Sequence, residues 1–327
     1  MLVSGKWNED WKPLQKSDDQ GRFVRQTSGF RNWITPDGEP GPTGIGGFKA
    51  EPGRYRLYVA LICPWASRTL MARELKGLQD IIEVTVVNPE LTTQGWAFGN
   101  YPNANADPLF DSKYLHELYT RADATYTGRA TVPVLWDMKQ SMMVNNESAD
   151  ILRMLDTAFE NIAPSKIRLF PEALSSEINE LNAQIYDKLN NGVYKAGFTK
   201  EQSSYEEATR EVFEMLDALE SRLEGKSYLV GDQLTETDIR TFVTLIRFDV
   251  AYHGLFKTNI KQIVDYPNLT AFMERVLKLP GVINTVNIDH IVAGYYSIKD
   301  LNPAGIRPIG PSYISELVES VNNGNHA

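Results

Sequence analysis

The chain carries a single cysteine in 327 residues, and its surroundings suit reactive chemistry. Cys63 follows the run 55–62, which reads as a strand with a buried end. It precedes 67–75, where Leu70, Met71 and Leu75 fall at helical spacing. Pro64 suits a first helical position, where a missing N–H costs nothing. Cys63 therefore belongs at or beside a helix N-cap, with first-turn amides and the helix dipole favouring its anion. A thiol of pKa near 8.5 is only about 3% thiolate at pH 7, and a helix N-terminus lowers that pKa to ~7 or below. A lone cysteine is also commonly a small buried hydrophobe; the strand–Cys-Pro–helix setting favours the nucleophile. Ala66 stands where a second cysteine would complete a dithiol. A mixed disulfide on Cys63 must then be resolved by an external thiol, which points to glutathione.

Two further pairs fit a peptide-like thiol. Val132-Pro133 lies in a strand-like run, where proline belongs at an edge, a bulge or a cis bond. With a cis bond there, Val132 offers its N–H and C=O to an extended peptide; the other reading is an ordinary strand-entry proline. Glu147-Ser148 opens a helix running through Ile151, Leu152 and Leu155. Ser148 at the N-cap would present amides to a γ-glutamyl carboxylate while Glu147 pairs its amine, although helix capping alone also accounts for the pair.

The elements that position these residues follow from the pattern. Strand 55–62, helix 67–75 and strand 81–87 make a βαβ unit with a parallel pair. After an excursion over 88–130, strands 131–137 and 142–144 form a hairpin, and a helix follows. Beyond Pro164, segments 172–190, 203–224, 236–253 and 268–279 show helical spacing. Thr235 to Asp238 forms a capping box, with Leu234 and Ile239 at its staple positions. The expected fold is an α+β domain with a mixed βαβ-ββα sheet over 51–160, which resembles the thioredoxin-like fold, and an all-helical domain over 165–327. An irregular Gly/Pro-rich arm over 1–50 precedes them. Its aromatics (Trp7, Trp11, Phe23, Phe30 and Trp33) imply that it packs on something.

Composition narrows the function. A net charge of −9 argues against nucleic acid or an anionic membrane as main partner. No apolar run approaches the ~20 residues that span a bilayer, and residues 1–16 lack a signal-peptide core, so a cytoplasmic protein is expected. None of the 4 histidines has metal-ligand spacing, so no metal site is expected.

These motifs resemble the glutathione site of the glutathione transferases. Cys63-Pro64-Trp65-Ala66, Gly95-Trp96, the run Asn191-Gly192-Val193-Tyr194-Lys195-Ala196-Gly197-Phe198 and Asn287-x-Asp289-His290 are more specifically similar to the glutathionyl-hydroquinone reductases, the Xi class. The resemblance covers about residues 30–310 and implies a homodimer with glutathione as co-substrate and no tightly bound cofactor. It implies Cys63 as nucleophile, Tyr194 as proton donor to a leaving carbon, and Tyr252 and Tyr295 as supporting tyrosines. Trp96, Arg129, Val132, Glu147 and Ser148 match glutathione contacts. Gly294-Tyr295-Tyr296 departs from the family's His-Tyr-aromatic run, so Tyr296 stands as the alternative to Tyr295. Without the motif, each of these tyrosines is more often a packed ring with a satisfied hydroxyl than a proton donor.

Two other functions compete. A general omega-like thiol transferase or dehydroascorbate reductase would use the same cysteine but needs no protonated carbon. A non-catalytic scaffold of the same fold would bind ligand without turnover. Conjugation of glutathione to electrophiles is better served by a serine or tyrosine hydroxyl than by a cysteine.

Overall fold

The computed structural model describes residues 1–9 and 26–324. They form two compact units, 1–9 with 26–166, and 167–324. Trp11 and Phe23 of the arm lie outside the described residues.

The first unit begins with a small hairpin, β1 (Leu2–Val3) and β2 (Lys6–Trp7), turned at Ser4-Gly5, where both residues have positive φ. Strand β3 (Tyr55–Val59) is buried at every residue, as befits a central strand covered on both faces. Helix α1 (Pro64–Leu75) and strand β4 (Ile82–Val86) complete the βαβ unit, with β4 parallel to β3. Helix α2 (His116–Ala122) interrupts the excursion; strands β5 (Val134–Asp137) and β6 (Met142–Asn145) form the expected hairpin, and helix α3 (Ser148–Thr157) follows. The sheet order is β4-β3-β5-β6, with β5 antiparallel to both neighbours. Helices α1 and α3 pack together, burying Leu70, Met71 and Leu75 beside Ile151, Leu152 and Leu155.

The arm from Gln26 to Ala50 has no helix. Asn32 N–H bonds the Val144 carbonyl at 3.0 Å, and Arg31 bridges Asn145, so the arm covers the free edge of β6.

The second unit is helical: α4 (Ser175–Gln184), α5 (Gly192–Phe198), α6 (Gln202–Arg222), α7 (Glu236–Arg247), α8 (His253–Leu255), α9 (Pro267–Leu277), α10 (Ile288–Tyr296) and α11 (Tyr313–Gly324). All residues of α7 are buried, polar ones included. Several of their demands are met by nearby groups. The Thr235–Asp238 capping box is formed; Asp238 also accepts the Leu229 N–H at 2.8 Å, and Asn182 donates to Glu236 at 2.8 Å. Burial raises the Asp238 carboxyl to about 6.

The expected α+β plus all-helical fold is observed, with corrections inside it. The continuous helices expected over 172–190 and 236–253 contain π-helical turns, Ile185–Asn190 and Phe248–Tyr252. Strand β3 ends at Val59 rather than 62, and β5 starts at Val134 rather than 131, because turns at 60–62 and the Pro133 bond leave the ladder. Helices α2, α5, α10 and α11 and the N-terminal hairpin are additions to the sequence reading. Among the described residues, no helix is long and apolar enough to cross a membrane, and no cluster of His, Cys, Asp and Glu could hold a metal.

Candidate active site

In the first unit, the Cys63 N–H bonds the Ala60 carbonyl at 2.9 Å and closes the turn after β3. Cys63 is the N-cap of α1 with extended backbone, Pro64 is the first helical residue, and the Ser67 N–H bonds the Cys63 carbonyl at 3.0 Å. The thiol makes no capping bond, and the first turn contains no acidic residue to oppose a sulfur anion. One turn further, the buried Arg68 guanidinium stacks over Trp65 at 4.3 Å. The half-buried Cys63 Sγ lies 3.7 Å from the Val132 carbonyl oxygen, a weak bond for a thiol. A thiolate has no proton to give that carbonyl, so it must find its hydrogen bonds at donors such as N–H groups.

The Val132–Pro133 bond is cis. Among the described residues the Val132 N–H has no partner, and its carbonyl is engaged only by Cys63. Tyr119, on α2, fixes this loop: its hydroxyl donates to the Thr131 carbonyl at 2.7 Å and accepts the Thr131 N–H at 3.1 Å. The same hydroxyl accepts from Asn146 Nδ2 at 3.1 Å, which ties the Val132 loop to the start of α3. Sequence reasoning missed Tyr119 and Asn146; seven-residue α2, with its mixed charged and aromatic side chains, offers no apolar stripe to find.

At α3 the cap differs by one residue from the sequence reading. Glu147 has extended backbone and is the N-cap, its Oε1 accepting the Ala149 N–H at 3.2 Å, while Ser148 is already helical. Ser148 is buried, and among the described residues neither its amide nor its hydroxyl has a partner. Trp96 follows Gly95, whose φ of +78° marks a left-handed turn, and the half-buried indole makes no hydrogen bond among the described residues. The Arg129 amide donates to Gln26 Oε1 at 3.2 Å. Val132 and Cys63 are in contact. Trp96 and Arg129 stand on separate loops of the same unit.

In the second unit three tyrosines meet. The Tyr194 and Tyr295 hydroxyls are 2.6 Å apart, and those of Tyr252 and Tyr295 are 2.8 Å apart. Tyr296 is outside this network. Phe256 packs against all three tyrosine rings and Phe198. The 191–198 run acquires a physical reason here: a Cβ on Gly197 would come within 2.4 Å of Phe256 Cγ, and one on Gly192 within 3.0 Å of Val212. At position 197 the first contact leaves room for glycine alone, while at 192 a side chain would press on Val212. Asn190 anchors the start of the run to α7, donating to the Arg240 carbonyl and Thr244 Oγ1, each at 2.8 Å. The π-helical turn that ends at Tyr252 is held from outside by Asp249, which accepts the Ile263 N–H at 2.9 Å and the Tyr313 hydroxyl. Burial above all raises the Tyr252 and Tyr295 phenols well above their ordinary range, and interaction with Tyr194 adds to it. Both therefore stay protonated.

Both halves of the chain match glutathione transferase models: residues 62–158 the glutathione S-transferase N-terminal domain, and 202–275 the C-terminal domain. The Escherichia coli (strain K12) glutathionyl-hydroquinone reductase YqjG is 50% identical over 313 residues, 95% of this chain and 95% of that protein. The glutathione-bound structure of YqjG aligns at a TM-score of 0.88 and 48% identity, covering 95% of each chain. The glutathione transferase Xi of Phanerochaete chrysosporium aligns at 0.86 and 47% identity, covering 90% of this chain and 95% of that one. The chain belongs to the glutathione transferases and, within them, to the Xi class of glutathionyl-hydroquinone reductases.

Proposed function

We propose that the protein reduces glutathionyl-hydroquinones to hydroquinones at the expense of glutathione. One observation carries the reading: the chain's lone thiol is the N-cap of α1, beside the carbonyl of Val132, in a chain 50% identical to a glutathionyl-hydroquinone reductase. The Cys63 thiolate attacks the glutathionyl sulfur. An S–S bond forms, the carbon–sulfur bond breaks, and its electron pair leaves with the aromatic carbon. Tyr194 gives that carbon a proton. A second glutathione, as thiolate, attacks the mixed disulfide, releases oxidised glutathione and restores the Cys63 thiolate; the second thiol's proton balances the one given up. The net reaction turns one glutathionyl-hydroquinone and one glutathione into one hydroquinone and one oxidised glutathione.

Glutathione binds as an extended peptide. Val132 pairs with its backbone, Glu147 with its α-amine and the Ser148 amide with its carboxylate, while Trp96 and Arg129 flank it. Tyr295, supported by Tyr252, donates to the Tyr194 phenolate left after proton transfer. The proposal includes a cytoplasmic homodimer with no tightly bound cofactor and no nucleic-acid or membrane partner. The net charge of −9 favours the last point. To test the function, purified protein is given a glutathionyl-hydroquinone and excess glutathione, and both products are followed. Equal release of hydroquinone and oxidised glutathione is expected. Reduction of a small glutathione mixed disulfide with no hydroquinone release would make the protein a general thiol transferase instead.

A further inference from the structure

The N-terminal arm makes a contact that the reaction scheme leaves unused. Ser28 Oγ donates to Glu147 Oε2 at 2.9 Å and lies 3.3 Å from the Asn146 carbonyl, across 119 and 118 residues of sequence respectively. With Oε1 engaged by the Ala149 amide at 3.2 Å, each oxygen of the Glu147 carboxylate has a fixed partner. The arm around Ser28 is itself pinned to the same junction. The Phe30 N–H donates to Asn146 Oδ1 and its carbonyl accepts the Asn146 N–H, both at 3.1 Å. Asn145 Nδ2 donates to the Asn32 carbonyl at 2.9 Å, and Arg31 makes a two-point ion pair with Asp150, its NH2 bond 2.9 Å long. The Phe30 ring packs on Tyr119 and Tyr126, with centroids 5.8 and 5.5 Å away.

We infer that Ser28 is a positioning residue for glutathione recognition, holding the Glu147 carboxylate in the orientation that receives the γ-glutamyl amine. The inference rests on the assignment of Glu147 to that amine. A glutamate side chain is long and rotamer-rich, so one left unrestrained has to be ordered when ligand arrives, which weakens binding. Here one oxygen is fixed by a helix amide and the other by a hydroxyl, and a carboxylate retains lone pairs for a further donor. The arm thus pre-organises the acceptor before ligand arrives. Ser28 works through Glu147 alone, and its effect vanishes when either the carboxylate or the ligand's amine is absent.

The test is calorimetric titration of the full chain with S-methylglutathione, which cannot form a mixed disulfide, and with its deaminated analogue. Ser28→Ala is expected to weaken S-methylglutathione by about 5-fold, the worth of one hydrogen bond, and Ser28→Thr to restore it. Ser28→Ala should leave binding of the deaminated analogue unchanged and cause no further loss in a Glu147→Gln background. Equal weakening of both ligands, or a further loss on top of Glu147→Gln, would overturn the inference, since Ser28 would then act on the fold at large. The two levels separate cleanly. If Glu147→Gln fails to discriminate between the ligands, the amine assignment falls and takes the Ser28 role with it. If Glu147→Gln discriminates and Ser28→Ala does not, the Ser28 role alone falls.

Discussion

The two chemically equipped regions of the molecule are built on opposite principles. Around Cys63 the functional groups sit at the ends of elements: an N-cap thiol, a loop carbonyl next to a cis proline, a capping carboxylate. Backbone groups with fixed directions dominate, and Cys63 is only half-buried. Around Tyr194 the groups are phenols within an aromatic cluster, with Tyr252 and Tyr295 at most 2% exposed. A peptide is addressed by directional backbone pairing, which tolerates water nearby. A proton on a phenol is governed by dielectric and by hydroxyl neighbours, which requires that water be kept out. Under the proposed function, the first region would select glutathione and the second would decide what glutathione is removed from.

That division can be tested by substitution, beginning with the largest effect. Cys63→Ser should abolish turnover of both a glutathionyl-hydroquinone and a small glutathione mixed disulfide, on the order of 10⁴-fold or more, as loss of a nucleophile does. Tyr194→Phe should cost about 10²-fold with the hydroquinone conjugate, the lower range for loss of a general acid. It should leave the mixed disulfide within about 3-fold, because a departing thiolate needs no proton. Steady-state rates with the two substrates settle the matter, and equal losses in Tyr194→Phe would collapse the distinction between the regions. On the proposed mechanism Tyr295→Phe removes a donor to the Tyr194 phenolate, a bond worth about 1.5–3 kcal/mol when one partner is charged. A fall of at least about 10-fold is expected in hydroquinone release, with S-methylglutathione affinity unchanged.

Two smaller effects concern stability. Thr235→Ala breaks the capping box of α7 and should lower unfolding stability by about 1 kcal/mol in urea. The calorimetric affinity for S-methylglutathione should be untouched, since the first region does not depend on that cap. The slightest effect is a pH dependence at His116, which is stacked on Trp7 at 4.5 Å and whose pKa burial lowers below the ordinary 6.5. Between that lowered value and 6.5 the unfolded chain binds the proton and the folded chain does not. This contribution to stability is therefore complete above pH 6.5 and lost as pH falls through the folded value. His116→Phe keeps a ring and removes the proton, so the melting temperatures of wild type and variant should diverge from pH 7.5 to 5. Parallel curves would remove His116 from the account.

The sequence was most informative where one residue dictates backbone geometry. Pro64 marked the start of α1, and the Thr235–Asp238 spacing marked α7, because capping chemistry is local. The runs 55–62 and 81–87, which are also local signals, revealed the parallel pair of the sheet. The π-helical turns were hidden, since an apolar stripe at helical spacing passes through a one-residue insertion with little change. Helix α2 was hidden because its Tyr119 is held by polar bonds rather than by an apolar face. Ser148 was misplaced by one position because a glutamate, which seldom caps, takes the N-cap here. The Ser28–Glu147 bond, 119 residues apart, leaves no periodic trace at all.

The lone thiol of Cys63 also makes the protein its own reporter. Any reagent that modifies a thiol has one address in this chain. Each adduct on the intact protein therefore reads directly as occupancy of one sulfur, without mapping and without substitutions to silence other cysteines. A trapped glutathione adduct, a spin label or a fluorophore would all report from the end of the same helix. Intact-mass measurement during turnover could thus follow the fraction of enzyme held as mixed disulfide, and so show which half of the cycle is slow.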